Sequence, residues 1–221
     1  SARARRETYV GSWLPEPLIA PEADQVHDDL TLTLMMALER LSPLERAAFL
    51  LHDVFDVGFD EVATTLDRDA TAVRQLAARA RRHVQDARPR YPVAREEGDR
   101  IAQAFFDATR SGDLETLGAL LAEGATLRAD GGGRVHAFPN PIVGIDRILR
   151  MFAGVNRKYG PEAFEHIRPM WIDGLPGYVS LERGSVLQTT ALAIENGRIV
   201  DIFITRNPDK LARVAAELRL S

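Results

Sequence analysis

The sequence contains no cysteine, which excludes a disulfide framework, a thiol nucleophile and any metal site with cysteine ligands. It also contains no apolar run near the roughly 18 residues that a membrane span requires, and no signal peptide at its start. Its hydrophobic fraction of 45% and charged fraction of 27% are ordinary for a globular chain. We therefore expect a folded cytoplasmic protein that does not contact a membrane.

Lysine is scarce, since only Lys158 and Lys210 are lysines among the 28 basic residues. The chain begins at Ser1 without methionine and continues directly into a basic stretch, which predicts a fragment whose front end has been removed. No histidine pair has the H-x-H or H-E-x-x-H spacing of a metal site. We expect neither a metal nor another cofactor.

Residues 1–26 are predicted to form a linker. Pro15, together with a second proline two positions later, disfavours a helix in this stretch. Trp13, Leu14 and Leu18 are too apolar for a free tether, because exposing large apolar side chains to water is unfavourable. We expect this segment to lie along a protein surface.

Residues 27–92 are predicted to form an all-α domain that contains a helix-turn-helix. Ser42 and Glu45 have the spacing of a capping box, and the helix that they begin is expected to bury Val54. Gly58 marks the turn before a short helix, and a longer basic helix follows. The predicted DNA-binding residues are Arg68, Thr71, Arg74, Gln75, Arg79, Arg81 and Arg82.

Charge changes sign across this helix-turn-helix. From Glu16 to Leu66 there are 11 acidic and 2 basic residues, whereas from Asp67 to Pro92 there are 7 arginines and 3 aspartates. Because duplex DNA is densely negative, this switch favours DNA binding over an ordinary solvated helix face. Arg74 and Gln75 are expected to reach base edges, and the later arginines to contact phosphates.

Three stretches of this domain resemble region 4 of an extracytoplasmic-function sigma factor. They read LSPLERAAFLL from Leu41, GFDEVA from Gly58 and AVRQLAARAR from Ala72. The resemblance implies binding to the −35 promoter element and to the flap of RNA polymerase. Residues 1–26 would be the linker that follows region 2, a domain that this sequence lacks, so we expect that this chain alone does not start transcription.

Three shorter motifs resemble those of the sigma-J-like group, whose members carry a SnoaL-like C-terminal domain. The linker signature WLPEPL contains Trp13, Leu14, Pro15 and Leu18. The group's DGGGK motif corresponds to Asp130, Gly131, Gly132, Gly133 and Arg134, with arginine in place of lysine, and its NPDKL motif to Asn207, Pro208, Asp209, Lys210 and Leu211. The resemblance implies a multidomain chain in which residues 93–221 form an α+β cone with a curved mixed sheet.

Period-2 hydrophobic patterns predict the strands of this cone. They span residues 125–129, 134–138, 164–172, 178–182, 186–194 and 199–205. We expect the linker to dock on the cone near the DGGG and NPDKL motifs, so that the cone regulates region 4 in cis. The simpler alternative is that these motifs only turn and cap a stable fold.

A second alternative for the whole chain is a DNA-binding module fused to a cyclase or isomerase. Some SnoaL-like cones use aspartate and histidine as acid and base. The candidates here are Asp130, His136, His166 and Asp173, and the resemblance also allows a small apolar ligand in the cone. We predict a protein that is not an enzyme.

Overall fold

The computed structural model describes residues 11–20, 32–87 and 93–219, and the chain divides into two compact units. One unit is residues 29–88, and the other combines residues 1–28 with 89–221. The segment predicted as a linker thus belongs to the same unit as the C-terminal domain, although parts of that prediction lie outside the described residues. None of the described helices is long and apolar enough to cross a bilayer.

Among its described residues, the smaller unit has four α-helices joined by short turns. They are α1 (Leu32–Arg40), α2 (Pro43–Phe49), α3 (Phe59–Leu66) and α4 (Ala70–Ala87). The capping box forms at the start of α2, where the Glu45 N–H donates to Ser42 Oγ and the Ser42 N–H donates to Glu45 Oε2. The buried core comprises Ala48, Val62, Ala63, Val73, Leu76 and Ala77.

A π-helical turn, Leu50–Val54, continues α2 and corrects one prediction. The Phe55 N–H bonds to the Leu50 carbonyl, which widens the turn and shifts the side chains that follow. Val54, which we expected to be buried, is therefore 56% exposed, and Phe55 is 68% exposed.

The larger unit is a curved sheet with helices packed on it, and we call its residues 93–219 the cone. Its helices are α5 (Arg95–Ser111), α6 (Leu114–Leu120), α7 (Ile145–Tyr159) and α8 (Pro208–Glu217). Its strands are β2 (Leu121–Asp130), β3 (Ile142–Val143), β4 (Phe164–Ile172), β5 (Leu175–Glu182), β6 (Val186–Glu195) and β7 (Arg198–Thr205), and the linker adds β1 (Ile19–Ala20).

The seven strands lie in the order β1-β4-β5-β6-β7-β2-β3. All neighbours are antiparallel except β2 and β7, which are parallel, so the sheet is mixed as expected. Shifts of register interrupt the pairing of β2 with β7, of β4 with β5 and of β6 with β7, and such bulges bend a strand and increase its twist. The buried core includes Phe105, Leu117, Leu127, Ile148, Leu192 and Ile202.

The strand predicted at residues 134–138 does not form. The Arg134 and Val135 amides donate instead to the Gly131 carbonyl, at 3.0 and 3.1 Å, and close a tight turn. Those amides consequently cannot donate the hydrogen bonds that would pair this segment with a neighbouring strand. The edge of the sheet beside β2 is formed by the short strand β3, where Val143 pairs with Thr126.

Candidate functional site

The linker segment, residues 11–20, lies on the cone and is held there first by Asp130. The Leu14 N–H donates to Asp130 Oδ2 at 2.9 Å, and the Gly132 N–H donates to Asp130 Oδ1 at 3.0 Å. The Asp130 side chain is fully buried. The last residue of β2 therefore binds both the linker and the turn that follows the strand.

Lys210, on α8, completes this contact, which we call the first anchor. Its ammonium lies 2.7 Å from Asp130 Oδ2 and donates to the Leu14 carbonyl. It also lies 4.6 Å from the centroid of the Trp13 ring, within the range of a cation–π contact. One cation thus contacts both the linker segment and the carboxylate that binds it.

The DGGG and NPDKL motifs meet beside the first anchor. Gly132 has a φ of +61°, and a Cβ at this position would overlap the side chain of Asn207. Both features require glycine there. Asn207 caps α8 by accepting from the Asp209 N–H, and Arg134 forms an exposed ion pair with Asp209 at 3.1 Å.

Asp173 forms a second anchor, four residues further along the linker. The Leu18 N–H donates to Asp173 Oδ1 at 2.9 Å, and the Asp173 N–H donates back to the Leu18 carbonyl at 2.9 Å. Burial raises the pKa of Asp173 to about 6, and the hydrogen bond from Leu18 opposes that rise. β1 then pairs with β4 through Ile19 and Ile172.

The apolar side chains of the linker segment do not share one role. Leu14 is 1% exposed and is part of the buried core, and Pro17 is also buried. Leu18 is 54% exposed, which corrects the expectation that its apolar side chain, like that of Leu14, is withdrawn from water. Because both of its backbone polar groups bond to Asp173, Leu18 is held by its main chain.

The predicted DNA-binding residues lie in the smaller unit, most of them on one side of α4. Thr71, Arg74, Gln75 and Arg82 are exposed, as is Arg68 in the turn before the helix. Spacings of three and four place the α4 residues on one helix face. Asp69 caps this helix by accepting from the Ala72 N–H at 2.8 Å. The Arg74 guanidinium lies 5.3 Å from the Phe59 ring centroid, so α3 supports it.

Two of the predicted arginines are paired with acids. Arg79 Nε lies 3.0 Å from Glu45 Oε1, and Arg81 Nε lies 2.5 Å from Asp53 Oδ1. Arg81 is only partly exposed, so its guanidinium is directed to the π-helical turn and not to the face that carries Arg74. Surface pairs of this kind contribute only about 0–1 kcal/mol, which leaves Arg79 able to exchange Glu45 for a phosphate.

A cavity of about 730 Å³ opens in the cone. α7 contributes Met151, Phe152 and Gly154 to its lining, and the strands contribute Leu127 and Ala129. Aromatic side chains from α5 and β4, among them Phe106, extend this apolar wall. The volume is within the range of pockets that bind small molecules, roughly 300–1,000 Å³.

One end of the cavity is polar although it is buried. Arg206 donates to the carboxylate of Glu182, and the Gln188 amide donates to Ser180 Oγ at 3.1 Å. Burial lowers the pKa of Arg206, and the Glu182 carboxylate opposes that change. Burial raises the pKa of Tyr178 to about 12, so its hydroxyl keeps its proton at neutral pH.

The four acid–base candidates make separate contacts and do not form one catalytic group. Asp130 and Asp173 bind the linker segment, and His136 is exposed at the cavity. His166 packs against Phe106, and burial lowers its pKa while Asp107 opposes that effect. Within the described part of the chain, no hydrogen bond joins any two of these candidates.

Comparisons with known proteins place this geometry in a family. A model of sigma-70, region 4, matches residues 31–84. The ECF RNA polymerase sigma factor SigJ of Mycobacterium tuberculosis is 35% identical, over 95% of this chain and 72% of its own length. The chain belongs to the extracytoplasmic-function (ECF) RNA polymerase sigma factors. A probable ECF sigma factor SigI of the same species is 31% identical, over 99% of this chain and 74% of its own length.

The fold agrees with that of a solved ECF sigma factor. The crystal structure of M. tuberculosis SigJ has a TM-score of 0.72 and 30% identity, and covers 95% of this chain and 76% of that chain. The match to sigma-70, region 4, covers α1, α2, α3 and most of α4. The alternative of an enzyme fused to a DNA-binding module is less well supported, because the relatives are transcription factors.

Sequence reasoning missed two functional contacts of this ECF sigma factor. It considered Asp173 only as a catalytic acid or base, although the residue bonds the linker. It also missed the ion pair of Glu182 and Arg206 in the cavity. The available signal for the first was a carboxylate at the tight turn between two strands, where Gly174 has a φ of +76°.

Proposed function

We propose that this chain binds the −35 promoter element and the flap of RNA polymerase through region 4, while its cone regulates the sigma factor in cis by holding the linker. The cone acts without catalytic turnover, and the site of action is the cytoplasm, where polymerase and promoters are. The observation that carries the regulatory part is the first anchor, in which Asp130 accepts the Leu14 N–H and pairs with Lys210.

The DNA-binding part rests on the exposed face of α4. Arg74 and Gln75 lie in its N-terminal half, which a helix-turn-helix places against base edges. Arg82 lies two turns further on and remains exposed, as a phosphate contact requires. The ion pair with Asp53 makes Arg81 the weakest candidate among the predicted arginines.

Two substitutions separate base readout from phosphate contact. Arg74→Ala is expected to cost about 1–3 kcal/mol on a matched −35 duplex and much less on one mutated at the contacted base. Arg82→Ala is expected to weaken binding to all duplexes alike and to reduce the salt dependence. Fluorescence anisotropy over a salt series measures both. Identical losses from both variants on both duplexes would contradict the assigned roles.

Regulation through the linker is tested with core RNA polymerase. Lys210→Met removes the cation of the first anchor, whereas Arg213→Met removes an exposed cation one turn along the same helix. Affinity for a naked −35 duplex is expected to be unchanged in both variants, because the DNA contacts lie in the other unit. Affinity for core polymerase is expected to change only in Lys210→Met. Equal polymerase affinity in the two variants would contradict regulation through the linker.

A further inference from the structure

Neither linker binding nor DNA binding accounts for the cavity of the cone. Its apolar wall includes Phe106, Leu127 and Phe152, all of which are buried. Apolar side chains that line a cavity of about 730 Å³ are suited to a small ligand with a hydrocarbon body.

The charged groups of the same cavity are mostly of one sign. Five basic side chains contribute to its lining, against the single carboxylate of Glu182: Arg147, Arg150, Lys158, Arg183 and Arg206. Arg183 and Lys158 both approach the ring of Tyr159, at 4.8 and 4.9 Å, which brings two of these cations to one place. A concave surface with an excess of positive charge attracts anions.

Arg206 supplies a donor that the protein does not use. Its Nη2 donates to Glu182, but its Nε is buried and has no hydrogen-bond partner among the described residues. Leaving such a donor unmet is unfavourable, and an acidic group on a ligand at this end of the cavity would compensate the buried guanidinium through a charge-assisted hydrogen bond.

Gly154 keeps the cavity open. It lies inside α7, where glycine is unfavourable compared with alanine, and it lines the cavity. A Cβ at this position would meet no atom within 4 Å. The sequence thus has a small residue at a position where a larger one would fit and would occupy the cavity.

We propose that the cavity of the cone binds a small amphipathic organic anion. Its acidic group bonds to Arg206 and Arg183, and its hydrocarbon body lies along Phe106 and Phe152. This proposal is independent of regulation through the linker, because it concerns binding alone.

The charge of the ligand is tested with three probes that share one hydrocarbon chain. They are decanoate, decanol and decyltrimethylammonium, each below its micelle concentration, titrated into the intact chain by calorimetry. Decanoate is expected to bind at least about tenfold more tightly than decanol, the factor of one charge-assisted hydrogen bond. The cation is expected to bind most weakly. Equal affinity for decanoate and decanol, or no binding of any probe, would overturn the proposal.

The position of the ligand is tested with variants of the same chain. Gly154→Leu places a branched side chain in the cavity and is expected to weaken decanoate binding without loss of folding, since leucine is a better helix former than glycine. Ala119→Leu places the same side chain at an exposed position of α6 and is the matched control. Arg183→Gln is expected to weaken decanoate but not decanol. Decanoate binding to Gly154→Leu with the affinity of the control would overturn the proposal.

Discussion

Asp130 and Asp173 each accept a backbone N–H of the linker segment at 2.9 Å, but their surroundings differ. Asp130 is fully buried, and the ammonium of Lys210 lies 2.7 Å from its carboxylate. Asp173 has no cationic partner among the described residues, and burial raises its pKa to about 6. The same backbone contact is therefore made once with a compensated charge and once with an uncompensated one.

This difference explains why the first anchor requires more residues than the second. The first anchor needs Asp130, the glycine turn and Lys210 together, and these come from two distant motifs that meet beside the linker. The second anchor needs only one carboxylate and a tight turn. Removing one partner of a buried ion pair strongly destabilises a protein, because the other charge stays buried without compensation. The second anchor contains no such pair among the described residues. We expect the first anchor to dominate the stability of the docked linker.

The largest effect is expected from Lys210→Met. It removes the Lys210 cation from beside the fully buried Asp130 carboxylate, and breaking a buried ion pair typically costs about 3–5 kcal/mol. Arg213→Met on the same helix removes a cation of an exposed pair and is expected to cost well under 1 kcal/mol. Urea unfolding of the intact chain measures both. Equal destabilisation would mean that the Asp130–Lys210 pair contributes nothing beyond a surface contact.

Two leucine truncations compare the anchors through their side chains. Leu14→Ala is expected to cost about 2–5 kcal/mol, because Leu14 is 1% exposed and its removal leaves a cavity. Leu18→Ala is expected to change stability by less than about 0.5 kcal/mol, because its side chain is 54% exposed. The same urea experiment compares the two. A cost of Leu18→Ala that matches that of Leu14→Ala would show that Leu18 is buried in solution.

The one gain in stability is expected from Asp173→Asn. Raising the pKa of a carboxyl from 3.8 to about 6 disfavours its charged form by at most roughly 3 kcal/mol, and asparagine avoids that penalty. The folded chain binds more protons at Asp173 than the unfolded chain between pH 3.8 and about 6, so this residue makes stability fall as the pH rises through that window.

Thermal unfolding of the wild type and of Asp173→Asn over this pH window isolates the contribution, since all other groups are common to both. The advantage of the variant is expected to grow from pH 4 to 6 and then to level off. Asparagine also tolerates the φ of +49° found at this position. A difference between the two proteins that is independent of pH would contradict the raised pKa.

The parts of the fold that the sequence predicts well are those set by local chemistry. The capping box at Ser42, the cap at Asp69 and the period-2 pattern of residues 164–172 lead directly to the observed elements. The family motifs also indicated which surface the linker segment meets, and the structure brings those motifs together. Their regulatory role stays a prediction.

What the sequence did not reveal depends on contacts between distant residues. The pattern at 134–138 alternates like a strand, but the amides after Gly131 are already bonded within a turn. The π-helical turn that exposes Val54 has no local signature. Arg79 and Arg81 form ion pairs with Glu45 and Asp53, which lie 34 and 28 positions away in the sequence. Helix periodicity alone could not distinguish these paired arginines from Arg82.

Hydrogen exchange at the Leu14 and Leu18 amides tests the central claim most directly, because these are the two amides that the carboxylates bind. The account predicts that both exchange slowly in the wild type, and that Lys210→Met accelerates Leu14 much more than Arg213→Met does. A Leu14 amide that exchanges in the wild type as fast as in an isolated peptide of residues 11–20 would contradict a linker held by the cone.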